Sequence, residues 1–364
     1  MFSKESIAYL KTALSQHRVF KGPLDLQILP TTRCNARCVF CPMFAVSKSA
    51  KQKFAPRWLE QAKDLNPGIL DHLIDDLYRL GGLKRVHITG GEPLVYSHII
   101  PLLFLLRRDF PDVELALVTN GILLKQFARA ICMIGLDRIS ISVNAGTSKS
   151  YSRQMGIGEE KFYELWEGIE QVSKFRQNKK PFISLTAVLN RFNYSEVKEL
   201  FELTRNSGAD ALTFISLMDF PFAGEPVREY ALSEAEYQEF SARIEELKPL
   251  AEKSGIYLGF TGKDEHLGKL RAGDIYQKVP CYSGYVFAMI YPDGSVRPCC
   301  NCEQVLGKLT EKSFYEIWKG EEAQKIRDRM LKIPQLGPPQ QCDCLECGYI
   351  FENEKFHQLL QENE

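Results

Sequence analysis

Residues 31–44 read TTRCNARCVFCPMF and place Cys34, Cys38 and Cys41 in a C-x3-C-x2-C array just after an apolar, strand-like run. Three soft thiolates this close together can hold one metal centre, and in a reducing compartment that is the usual reason for such spacing. A 4Fe–4S cluster normally takes four cysteines, so three leave one iron open to a small-molecule ligand. The competing readings are a partial zinc site or three unrelated buried cysteines.

Around this array the chain alternates short β-type runs with longer helical runs. Strands are expected at 25–29, 85–89, 114–119, 138–144, 182–189 and 211–217. Helices are expected at 69–80, 99–108, 123–134, 160–176 and 196–207, the first carrying Leu70, Leu73, Ile74, Leu77 and Leu80 at helical spacing. The alternation predicts an α/β fold with a parallel sheet and right-handed crossovers. Six strands are fewer than the eight of a closed barrel, so a partial (β/α)6 barrel is expected, followed by a small C-terminal cysteine-rich domain. The expected boundaries are an N-terminal helix at 1–21, the partial barrel at 22–230, a linker helix and loop at 231–280, and the cysteine-rich domain at 281–364.

The bulk numbers are those of an ordinary globular chain: 364 residues, 45% apolar and 25% charged. Lys plus Arg equals Asp plus Glu at 46 each, which points to neither nucleic acid nor an anionic membrane. Residues 1–20 hold no apolar core of signal-peptide type, and the run 102–106 is too short to span a bilayer, so a cytoplasmic protein is expected. Eleven cysteines in such a chain argue for metal ligation over disulfides. Three fall at 34–41 and seven at 281–347; Cys132 stands alone in AICMIG and reads as a core residue.

In a parallel sheet of this kind, function gathers at the carboxyl ends of the strands. The cysteine array follows the first strand, Gly90-Gly91-Glu92-Pro93 the second, and Thr119-Asn120-Gly121 the third. Ser142 and Asn144 close the fourth, and Asn190 closes the fifth. The array, with Phe40 before its last cysteine and a GGEP segment after the next strand, resembles the radical SAM enzymes over roughly residues 22–220.

That resemblance implies a 4Fe–4S cluster on Cys34, Cys38 and Cys41, whose open iron is chelated by S-adenosylmethionine and whose electron generates a 5′-deoxyadenosyl radical. Gly90 and Gly91 lack a Cβ, so backbone can approach a ligand closely, and Glu92 can accept from the ligand's ammonium. Phe40 offers a flat face for adenine. Ser142 and Asn144 suit the ribose hydroxyls, Asn190 the methionyl or adenine end, and Arg153 the methionine carboxylate. The family often has Asp-Gly where Asn144-Ala145-Gly146 stands here. For each of these the bland alternative is a core aromatic, a satisfied strand-end polar group or an exposed arginine.

Cysteines resume at Cys281, Cys299, Cys300, Cys302, Cys342, Cys344 and Cys347, with Pro292-Asp293-Gly294 as a hairpin signal. Gly294-x4-Cys299 with the later Leu306-Gly307 resembles the SPASM and twitch auxiliary-cluster extensions of the superfamily. Two further full clusters would need eight cysteines, so seven point to one auxiliary 4Fe–4S cluster. Cys281, Cys299, Cys344 and Cys347 resemble the twitch spacing of 2-deoxy-scyllo-inosamine dehydrogenase and are the expected ligands, with Cys302 or Cys342 as substitutes. A zinc ribbon on Cys299/Cys302 and Cys344/Cys347 is the competing reading. Cys300 is a candidate hydrogen-atom donor or a spare thiol.

The resemblance therefore implies a radical SAM oxidoreductase acting on a small hydroxylated or amino-substituted molecule, with the auxiliary cluster accepting the second electron. A flavodoxin- or ferredoxin-type protein would supply the first electron. The rivals are a peptide maturase, a radical epimerase, or a non-catalytic zinc or iron–sulfur protein. No substrate base is identified; Asp219, Phe220 and Glu225 are candidate substrate contacts.

Overall fold

The computed structural model describes residues 3–41, 64–217, 229–261, 275–342, 344 and 347–362. Asp219, Phe220 and Glu225 lie outside the described residues. Ten strands form one sheet in the order β10-β9-β8-β1-β2-β3-β4-β5-β6-β7. They are β1 (Asp25–Ile28), β2 (Arg85–Ile88), β3 (Glu114–Thr119), β4 (Arg138–Ser142), β5 (Phe182–Leu189), β6 (Ala211–Ser216), β7 (Tyr257–Thr261), β8 (Phe287–Ile290), β9 (Ser295–Arg297) and β10 (Gly307–Lys308).

All six expected strands are present and parallel, and the parallel run continues past both ends of that set. β7 adds to β6, in a stretch the sequence reads as loop, and β8 adds to β1 with Asp25 opposite Phe287. Eight strands thus run parallel, β9 and β10 extend the β1 side in antiparallel fashion, and among the described residues no pairing joins β7 to β10. The barrel is partial, as expected, but two strands wider.

Period-two alternation divides the sheet into two chemically different faces. Leu26, Ile28, Val86, Ile88, Leu117, Ile139, Ile141, Ile183, Leu185, Leu212 and Phe214 are buried in one core with the helices. Those helices, including Leu70–Leu80, Ile99–Asp109 and Glu160–Phe175, contribute apolar stripes such as Leu73, Ile74 and Leu77. The opposite face carries Asp25, Gln27, Arg85, His87, Ser140, Ser142, Ser184, Thr186 and Thr213, mostly half-buried polar groups. A sheet stabilised by one apolar face leaves the other free to carry chemistry.

Register also orders the cysteines. Cys34, Cys38 and Cys41 follow the carboxyl end of β1, whereas Cys281 precedes β8, whose first residue lies level with the first residue of β1. β9 runs back along β8, pairing Arg297 with Met289, and so delivers Cys299 to that same amino end. The two thiol groups are separated by about 13 Å of β1, four residues at roughly 3.3 Å each, plus their loops.

Candidate functional site

The cysteine loop is held from three directions. Gly91 N donates to Thr31 O at 2.9 Å and Glu92 N to Arg33 O at 2.8 Å, which lays the GGEP loop alongside the start of the array. Arg37 N and Val39 N donate to Met155 O and Gln154 O at 2.7 and 2.9 Å, tying the middle of the array to the helix Ser148–Met155. Asn120 Nδ2, at the end of β3, donates to Asn35 Oδ1 at 2.7 Å and lies 3.6 Å from Cys34 Sγ. Arg33 and Asp64 add a two-pronged ion pair, with Nε and Nη2 at 2.9 and 2.7 Å from the two carboxylate oxygens.

The three thiols are close enough to act on one another electrically. Burial pushes the Cys34 thiol up to about 11, with Glu92 and Cys41 adding to the effect. Cys38 is also raised, by burial first and then by Cys41 and Cys34. Cys38 Sγ lies 3.4 Å from Met155 Sδ. Three half-buried thiols that oppose one another's ionisation need a nearby cation to become thiolates together, which iron supplies. The donor set therefore fits a cluster that takes three protein ligands.

The other candidates fall into distinct settings. Glu92 is fully buried, and its carboxylate accepts from Thr119 Oγ1 at 2.6 Å, Asn120 N at 2.7 Å and Leu94 N at 3.0 Å. Burial nonetheless raises its pKa to about 7, against the lowering effect of those three donors. The glycines before it meet protein: a Cβ on Gly90 would lie 2.7 Å from Thr31 O, and one on Gly91 2.2 Å from Arg33 O. Gly90 also has φ +137°, a conformation that favours glycine.

Asn144 and Asn190 are buried in one polar network. Asn144 Oδ1 accepts from Val188 N at 2.9 Å and its Nδ2 faces Met155 Sδ at 3.4 Å. Asn190 Nδ2 donates to Gln154 Oε1 and Val188 O at 2.8 Å each, and Asn193 Nδ2 donates to Asn144 O at 2.8 Å. Ser142 ends β4 half-buried, opposite Thr186 of β5, and Phe40 is half-buried in the array itself. Arg153 is exposed, with its guanidinium 4.0 Å from the Phe192 ring centroid. It lines a cleft of about 260 Å³ with Val39, Arg191, Phe192, Glu229 and Tyr230, directly beside the array.

The second thiol group is more deeply set. Cys281 and Cys299 are buried, Cys344 and Cys347 partly so, and Cys300 is exposed. Burial raises Cys281, with Cys347 and then Cys344 adding to it. Cys299 is raised first by its hydrogen bond with Cys300 and also contacts Cys347, which is raised in turn by that contact. These interactions bring Cys281, Cys299, Cys344 and Cys347 within electrostatic range of one another, with Cys300 beside Cys299.

Cys302 and Cys342, named as substitutes, are instead bonded to each other as a disulfide, with Cα atoms 4.0 Å apart across a β-bridge. That pairing leaves neither sulfur free to ligate while the bond is intact, and it places one disulfide in a chain whose cysteines were expected to favour metal ligation. Sequence reasoning missed Gln154 and Met155, the last two residues of the helix Ser148–Met155, which carry no local signal. It also missed Tyr276, whose hydroxyl lies 3.1 Å from Cys347 Sγ.

Two family models match the chain: the radical SAM superfamily over residues 28–204, and SPASM, an iron–sulfur cluster-binding domain, over residues 281–348. A probable GTP 3',8-cyclase of Thermococcus kodakarensis is 30% identical over 230 residues, 63% of this chain and 64% of that protein. A second, from Saccharolobus solfataricus, is 26% identical over 321 residues, 86% of this chain and 92% of that one. The chain spans less than two thirds of the length of the first curated relatives it matches. Among solved structures, Streptococcus suis SuiB bound to its precursor peptide SuiA superposes with a TM-score of 0.64 at 18% identity, covering 94% of this chain and 73% of that one. That likeness shows the fold. No helix among the described residues is long and apolar enough to cross a membrane. With three thiols at one end of the strands, four at the other, and a family model on each, the chain carries a radical SAM domain over residues 28–204 and a SPASM iron–sulfur cluster-binding domain over residues 281–348.

Proposed function

We propose that this enzyme is a radical SAM oxidoreductase that removes hydrogen from a small polar molecule bearing a hydroxyl or amino group. When bound, its cofactors supply a 5′-deoxyadenosyl radical at one end of the strands and a one-electron acceptor at the other. The observation that carries the reading is the convergence of Cys281, Cys299, Cys344 and Cys347. Four thiols leave no open iron for a substrate, so this site suits electron transfer over substrate binding.

In this reading Cys34, Cys38 and Cys41 hold the SAM-binding cluster. The Gly90–Glu92 backbone and Glu92 shape the methionyl end, and Phe40 takes the adenine. Ser142, Asn144 and Asn190 bound the ribose and methionyl side, and Arg153 faces the methionine carboxylate. The polar sheet face between the two thiol groups, with Gln27, Ser140, Ser184, Thr186 and Thr213, suits a hydroxylated substrate. A flavodoxin- or ferredoxin-type protein delivers the first electron. A second reading, a nucleotide substrate, is favoured by the cyclase relatives and by the Arg153–Arg191 cleft, whose two guanidinium groups suit phosphate.

Anaerobic reconstitution tests the assignment. Wild-type protein should take up about eight irons per chain, two clusters' worth, and form 5′-deoxyadenosine with S-adenosylmethionine and dithionite. Replacing Cys34, Cys38 and Cys41 together by Ala should abolish cleavage and halve the iron. Cleavage that survives in the triple variant contradicts the ligand assignment. Absence of deoxyadenosine from fully loaded wild type sinks the radical reading.

A further inference from the structure

The contact between Tyr276 and Cys347 is used by none of the roles above. Tyr276 is 2% exposed, packed with Ile275, Val279, Cys281, Met330 and Ile350, and its Oη lies 3.1 Å from Cys347 Sγ. Between a phenol and a free thiol either atom can be the donor. A thiolate bound to iron has no proton to give, so with a cluster in place the phenol must donate. A hydrogen bond donated to a ligand sulfur draws charge from it and favours the state holding the extra electron. Hydrogen bonds to the sulfurs are among the features that set cluster potentials.

We infer that Tyr276 is a positioning residue that raises the reduction potential of the auxiliary cluster by donating its phenolic O–H to Cys347, making that cluster a better acceptor for the substrate's second electron. The inference rests on the proposed ligation by Cys347. It extends that ligation, because four cysteines alone say where an electron can go and the phenol says what makes it go there. The packing around the ring supports this, since a hydroxyl buried on an apolar cluster of Ile275, Val279, Met330 and Ile350 is held in one place.

Tyr276→Phe removes one oxygen and keeps the ring. In the reconstituted holoprotein, with iron and sulfide counted, an anaerobic redox titration followed by EPR should show a lower midpoint for the auxiliary cluster and an unmoved midpoint for the SAM-binding cluster. Tyr282→Phe is the control, because its hydroxyl pairs with His357 Nδ1 at 2.8 Å and not with a thiol; both midpoints should stay in place. Replacing Tyr276 with 3-fluorotyrosine keeps the hydroxyl and makes it a stronger donor, so the auxiliary midpoint should rise. This second variant decides the matter if Tyr276→Phe loses iron. An auxiliary midpoint that does not move, or that moves equally in the Tyr282→Phe control, overturns the inference while leaving the cluster assignment standing. Wild-type iron at about four atoms per chain removes the assignment and the inference together.

Discussion

Gly91→Ala separates two explanations of the GGEP glycines, close approach to a ligand and close approach to the cysteine loop. A Cβ at this position would lie 2.2 Å from Arg33 O and 2.7 Å from both Arg33 C and Thr32 O, where ordinary contact begins near 3.4 Å. Relieving the shortest of these needs a shift of about 1.2 Å, the difference of 3.4 and 2.2. All three obstacles are backbone atoms, so no side chain can swing away. The shift breaks the bonds from Gly91 N to Thr31 O and from Glu92 N to Arg33 O. At about 1 kcal/mol each, with roughly 1–3 kcal/mol for overpacking, the expected loss is about 3–5 kcal/mol. Cys34 adjoins Arg33, so the SAM-binding cluster should also load poorly. Denaturant midpoints and iron content measure the two effects. Gly135→Ala is the reference, because Gly135 has φ +81° and open space around its Cβ position, and should cost only about 1 kcal/mol. A Gly91→Ala protein within about 1 kcal/mol of wild type, with full iron, would refute the steric reasoning and return the glycine to the ligand.

Three further outcomes follow from particular contacts. Cys302→Ala with Cys342→Ala should leave iron at about eight per chain, since the two bond to each other; loss of about four irons by colorimetric assay would make them ligands. Arg327 is fully buried, donating from Nε to Gly284 O and from Nη2 to Trp318 O at 2.7 Å each. Arg327→Ala strands both carbonyls and should cost about 3–5 kcal/mol in urea unfolding. His87 is lowered below its usual value by burial, against Asp25 and Glu114 and with Arg85 and Arg138. The unfolded chain then binds the extra proton, so this contribution is present above pH about 6.5 and is lost as pH falls below it. Urea midpoints measured from pH 7.5 down to 5 should therefore fall less steeply in His87→Gln than in wild type.

Much of the fold was legible because a one-sided parallel sheet writes its apolar face into the chain. Strands such as 182–189 alternate buried and half-buried along their whole length, and the helices between carry single apolar stripes. β7 escaped because Tyr257–Thr261 is half-exposed and lacks such a contrast. The cysteine array was legible for a different reason: its members are local, so spacing alone brings them together. The polar network was not, because Gln154 meets Asn190 across 36 positions and nothing near either residue signals the other. Cysteine pairing fails in the same way. Cys302 and Cys342 are chosen for each other by a β-bridge that spacing cannot show.

The arrangement of the two thiol groups is the consequence of one register. β8 enters the sheet beside β1 after more than 250 intervening residues, and it enters parallel, with Phe287 level with Asp25 and Ile290 level with Ile28. Had β8 paired antiparallel, Cys281 would sit at the carboxyl end of β1, among the residues that follow Ile28, and the two thiol groups would crowd one mouth. The parallel pairing sends Cys281 to the opposite end, and the tight turn at Gly294, with φ +79°, brings Cys299 back to join it. Leu29 N then donates to Ile290 O at 2.8 Å, so the strand that leads into the Cys34–Cys41 array is bonded to the strand that lies between Cys281 and Cys299. The proposed one-electron chemistry at both ends of a polar sheet face needs the two thiol groups apart yet rigidly related. A shared pair of neighbouring strands provides both.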